Sequence, residues 1–198
     1  MSFVTAEIST GAIGLWLTFE PRRQRVYWSK VAAAMLGVLP VVALAYAIMA
    51  GGAYGAFALN DRLGNVTGET WSELASVGGR LLVASAGTAA VGAALGVLLK
   101  HAAAALGFLV VWVGVLENVV GAAVPELQRW LVRTNVTAWT EGGTAFWIND
   151  CTPDETGGMV CESIERAVTQ TQGGLFLLGV TVVASLLALV VFRRRDVS

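Results

Sequence analysis

Four apolar runs, each close to the thickness of a bilayer, constrain this chain more than any other feature. They cover 31–50 (with an apolar continuation to Leu59), 81–99, 102–120 and 174–192. About 20 residues of helix cross a hydrocarbon core of roughly 30 Å. One such run fits a buried soluble core, but four in 198 residues do not. The chain is 56% hydrophobic and only 14% charged, with a mean hydropathy of +0.67. A soluble domain carries roughly 25% charged residues, so this one lacks the charge to cover a water-facing surface. No run alternates with period two over the length of a barrel strand. The expected fold is therefore all-α: a polytopic integral membrane helix bundle with four transmembrane helices. Residues 1–13 lack a basic start and Glu7 interrupts them, so they do not read as a signal peptide.

Charge placement orients the spans. Arg22, Arg23, Arg25 and Lys30 precede the first, Lys100 sits between the second and third, and Arg193, Arg194 and Arg195 follow the fourth. If every run spans once, these sites share one side, which the positive-inside rule makes cytoplasmic. Most of the acids fall in the two connections on the other side, 51–80 and 121–173. The expectation is a multi-pass protein of the cell membrane with both termini in the cytoplasm: an interfacial segment 1–30, a transmembrane domain 31–192 and a tail 193–198.

The longer outer connection has content of its own. In Pro125-Glu-Leu-Gln-Arg-Trp-Leu-Val-Arg133, Leu127, Trp130 and Leu131 recur at i, i+3, i+4 behind a proline suited to a helix start. This predicts a short amphipathic helix at the outer interface, either a lid over a pathway or a packing helix. Cys151 and Cys161 are the only cysteines and both lie in this connection, where pairing is favoured outside the cytoplasm. They make a poor metal set, and no metal site is expected. Asn65 and Asn135 each open an Asn-Val-Thr triplet, a pattern common by chance.

Inside the spans the chemistry is sparse. Glu117 is the one acid in a predicted span, near its outer end. Intramembrane acids face a bundle interior or water. It reads either as a substrate contact or ion-pair latch of an outer gate, or as the helix end in headgroup water. Asn118 beside it can bond across helices. Gly92 and Gly96 form a GxxxG suited to close helix packing, and Pro40 is placed to kink the first span. His101 is the only histidine. With no catalytic set and no phosphate-cradling loop, no enzyme activity and no nucleic-acid binding are expected.

The residues before the first span carry a resemblance. In EISTGAIGLWLTFEPRRQRVYWSK, Glu7, Gly11, Leu15, Leu17, Pro21, Arg23 and Lys30 fall in a pattern that resembles the cytoplasmic coupling segment of ABC-2 type transporter permeases. Ala12-Ile13 stands where that family has Thr-Leu. The family's remaining order also matches: four helices, an outer loop, a tight basic inner turn, then a longer outer loop with short helices. Two helices that precede the segment in the family have no counterpart here. The resemblance implies a permease subunit of an ATP-driven transporter, commonly an exporter. It implies a separate ATP-binding subunit carrying ATP and magnesium, and a second permease copy or homologue. Glu7, Gly11, Leu15, Leu17, Pro21, Arg22, Arg23, Arg25 and Lys30 would form the coupling surface, on a short amphipathic cytoplasmic helix. This chain itself would need no cofactor. The competing expectation is a non-transporting four-helix scaffold or assembly protein in the same bilayer.

Overall fold

The computed structural model describes residues 22–153 and 158–194. Glu7, Gly11, Leu15, Leu17, Pro21 and the expected amphipathic N-terminal helix lie outside the described residues. Four helices are long and apolar enough to cross a membrane: Gln24–Leu59, Gly68–Leu99, Ala103–Ala123 and Gln170–Arg194. The fold is thus predominantly helical, as expected for a multi-pass membrane protein. The chain divides into two compact units, 1–105 with 180–198, and 106–179.

In the first unit, α1 (Arg23–Leu59) is one helix of 37 residues that continues through Pro40. α2 (Gly68–Leu99) starts where the Thr67 N–H donates to Thr70 Oγ1 at 3.3 Å. It ends at Lys100, whose N–H donates to the Gly96 carbonyl and whose φ is +59°. That left-handed residue ends α2, and the next helix begins two residues on at Ala102. The connection 51–80, expected as a loop, is therefore mostly helix, with only 60–67 outside it. Apolar counting finds the part of a helix that sits in hydrocarbon. It does not find the helix ends, because backbone hydrogen bonding carries a helix past the lipid boundary.

The core of this unit is small and lies at one end. Tyr27 and Val31 of α1 meet Ala90, Ala93, Ala94 and Val97 of α2, with Ala188 and Phe192 of α6 (Gln170–Arg194). Alanines on α2 let the helices approach closely, and Gly92 and Gly96 are buried with them. The Tyr27 hydroxyl donates to the Ser185 carbonyl at 2.8 Å. Further along α1, the Tyr46 hydroxyl donates to the Leu74 carbonyl of α2 at 2.7 Å. Outside this seam the surface is apolar. Leu36, Val41, Leu44 and Ile48 are each at least 63% exposed, and only 6% of the most apolar window of α1 is buried. Such a surface is stable against lipid and not against water.

The second unit begins on α3 (Ala102–Val111), passes through a five-residue π turn, Trp112–Leu116, and resumes as α4 (Glu117–Ala123). A 3₁₀ segment, Pro125–Trp130, and α5 (Val132–Glu141) follow. The expected single helix over 125–133 is thus replaced by two pieces broken at Leu131, which is extended (φ −77°, ψ 142°). Leu131 leaves the stripe it was expected to share with Leu127 and Trp130. Its Cδ1 turns toward Gly121, where an added Cβ would come within 3.2 Å.

Gly142 (φ +89°) and Gly143 (φ +145°) then turn the chain out of α5, backbone angles that side-chain-bearing residues resist. β1 (Gly143–Pro153) and β2 (Met159–Thr169) form an antiparallel hairpin with Gly143 opposite Thr169 and Cys151 opposite Cys161. This hairpin was not anticipated. One face carries Phe146, Ile148, Ile164 and the buried Val168, and the other carries exposed Trp147 and the cysteines.

Candidate functional site

Residues 112–135 hold the densest polar construction among the described residues. Glu117, the first residue of α4, is 4% exposed. Its Oε1 accepts the Val132 N–H at 2.8 Å and its Oε2 accepts the Arg133 N–H at 2.9 Å. These are the first two peptide groups of α5, and a helix leaves its first four N–H groups without intrahelical partners. Leu131, at the position that usually supplies a capping side chain, has none to offer. Glu117 therefore caps α5 from another helix, and its negative charge also complements the positive end of the helix dipole.

In the structure the Glu117 carboxylate is buried and held by two peptide N–H groups. Asn118 bonds to α5 on one side and back along its own helix on the other. Its Oδ1 accepts Arg133 Nη1 at 2.7 Å, while its Nδ2 donates to the Gly114 carbonyl inside the π turn at 2.8 Å. Gln128 Nε2 donates to the Gly121 carbonyl at 3.1 Å, fastening the 3₁₀ segment to α4. Glu117, Asn118, Gly121, Gln128, Leu131 and Arg133 are among the residues lining an open cleft of about 280 Å³.

Asn135 is fully buried, so in the folded chain it is closed to glycosylation. Its Nδ2 donates to the Arg129 and Leu131 carbonyls at 2.9 and 2.8 Å, which holds the break between the two helical pieces. Gly173 and Gly174 let α6 run against this part of α5. An added Cβ would fall 2.7 Å from the Asn135 carbonyl oxygen at Gly173 and 2.7 Å from the Trp139 ring at Gly174.

The other expected site residues are distributed elsewhere. Leu127 and Trp130 are exposed on the 3₁₀ segment, and the Arg129 guanidinium lies 5.3 Å from the Trp130 ring centroid. Cys151 and Cys161 are joined as a disulfide across directly opposed positions of the hairpin. Arg22 immediately precedes α1, and Arg25 and Lys30 lie on its first turns. Sequence reasoning missed the π turn and α5. The segment Val132-Arg-Thr-Asn-Val-Thr-Ala-Trp-Thr-Glu141 is rich in β-branched residues, which disfavour a helix locally. Its cap comes from a residue fifteen positions earlier.

Comparison with known proteins found no matching family model, curated protein or solved structure. The fold by itself defines a protein with four membrane-length apolar helices, a disulfide-closed hairpin, and a short helix capped in trans by a buried glutamate.

Proposed function

We propose that the chain is a membrane-spanning permease subunit of an ABC-2 type transporter, an exporter of the cell membrane. It works with a separate ATP-binding subunit and a second permease copy. The residue pattern from Glu7 to Lys30 carries this reading. Its physical support is where that segment leads. Near the end of the segment, Tyr27 belongs to the core shared by α1, α2 and α6. A displacement applied to residues 7–30 would reach three helices at once, as a coupling element requires.

Charge agrees with this assignment. Tyr27, Val97 and Phe192 share one cluster, so Lys30, Lys100 and Arg193 lie at the same end of their unit. An end rich in cations suits the anionic cytoplasmic leaflet, and the partner ATPase would dock there.

The test is co-purification in mild detergent from the native host. The wild-type chain is expected to bring down an ATP-binding subunit. The Arg22→Glu/Arg23→Glu pair and Gly11→Trp are expected to lose most of that association while still inserting in the membrane. Wild-type chain that recovers no ATPase overturns the reading in favour of a scaffold protein.

A further inference from the structure

The π turn at Trp112–Leu116 and the two residues after it are built as one device. In the turn, the Glu117 N–H donates to the Trp112 carbonyl, five residues back instead of four. Such turns are rare because α-type bonding is better formed, and they concentrate at functional sites. Regular α-helix is the ordinary alternative for the same segment, so contacts outside the turn are needed to hold the π form. The structure shows what holds it. Asn118 ties the Gly114 carbonyl of the turn to the Arg133 guanidinium, and Glu117 grips the Val132 and Arg133 peptides. The π turn aims 117 and 118 at α5, and the bonds to α5 keep the turn in place.

We propose that this is a two-position latch. In the closed position, seen here, the π turn points Glu117 and Asn118 at the start of α5. In the open position the turn reverts to regular α-helix. Each residue of an α-helix advances about 100° and 1.5 Å. Absorbing the extra residue therefore swings α4 by about 100° relative to α3. Both side chains leave α5, and its first peptides become exposed to the cleft beside them. The charge and the peptide groups separate as a unit, so intermediate rotations lose both bonds and gain nothing. The latch is a property of residues 112–133 and stands or falls independently of the transporter reading.

The test measures a distance within the full chain in lipid nanodiscs. Spin labels go on Val119→Cys of α4 and Glu141→Cys at the end of α5, both exposed positions. The native cysteines are bonded to each other and do not label. Wild type is expected to give one distance. Glu117→Gln replaces one acceptor oxygen with an NH₂ that faces a peptide N–H. Asn118→Leu cuts both ties of Asn118. Each is expected to add a second distance, with the open-to-closed ratio raised about tenfold, as expected for losing a charged hydrogen bond. Deleting Gly114 removes the extra residue, so in the Glu117→Gln background it should restore the single wild-type distance.

The proposal is overturned if both substitutions keep the wild-type distribution, or if the deletion leaves the second distance in place. Hydrogen exchange of the Trp112–Glu117 amides makes the same decision without a deletion. Their protection must change when Glu117→Gln opens the distance, and unchanged protection overturns the role of the turn.

Discussion

Gly78 and Gly79 show how much a single position depends on its neighbours. A Cβ at Gly78 would stand 2.8 Å from Tyr46 Cε1, on a ring whose hydroxyl is held by the Leu74 carbonyl. One residue on, a Cβ at Gly79 would meet nothing within 4 Å. Gly78→Ala is expected to cost about 1–3 kcal/mol through overpacking. Gly79→Ala should be neutral or stabilising by up to about 1 kcal/mol, from helix propensity alone. Thermal unfolding of the two variants in the same detergent checks this, and equal shifts would contradict the packing seen here. Neither glycine is distinguishable in the sequence, because the tyrosine that separates them lies on another helix. Glu117 is the converse case. An acid inside an apolar run stands out at once, whereas its partners do not, because they are backbone groups that every residue possesses.

At the scale of elements, the hairpin is the clearest gap between pattern and structure. An isolated two-stranded hairpin is marginal in water. Here one face packs through Phe146, Ile148, Ile164 and Val168, and the Cys151–Cys161 bond closes the strands near their turn. Like charges face each other at Asp150 and Glu162, which weakens the pairing next to that bond. Cys151→Ser/Cys161→Ser is expected to remove roughly 2–3 kcal/mol from the hairpin, by the loop-closure argument. Hydrogen exchange should show faster amides in β1 and β2 beyond Asn149 and Ser163 and unchanged amides in α1 and α2. Acceleration spread evenly over the chain would mean that the bond supports more than the hairpin. The cysteines were legible as a pair from their isolation in one polar connection. The strands around them were not, because their apolar residues alternate only over a few positions.

For the whole molecule, the prediction concerns sidedness. The cationic positions Lys30, Lys100 and Arg193 flank one shared cluster, and the acids Asp150, Glu162 and Glu165 lie on the hairpin. In the proposed topology, with both termini cytoplasmic, a membrane-impermeant thiol reagent should label Asn149→Cys in intact cells. It should label His101→Cys only after the membrane is opened. Labelling of both positions from outside would reverse or break the proposed topology. The sequence predicts this arrangement from charge counts alone, since most cations fall on one side of the four apolar runs and most acids in the connections on the other. The structure adds that the helix segments next to those cations pack against each other, which puts Lys30, Lys100 and Arg193 at one end of their unit.

The number of membrane-length helices, their apolar surfaces, the sites of the basic ends and the pairing of two cysteines were all determined by the sequence itself. Each depends on composition or on residues near in the chain, and lipid rewards composition directly. Tertiary structure alone decided where the helices end, that Val132–Glu141 is helical against its propensity, and that a π turn sets the direction of Glu117. Those outcomes rest on hydrogen bonds between peptide groups and side chains far apart in sequence. A peptide N–H carries no residue identity, so no pattern of letters records which carboxylate will reach it.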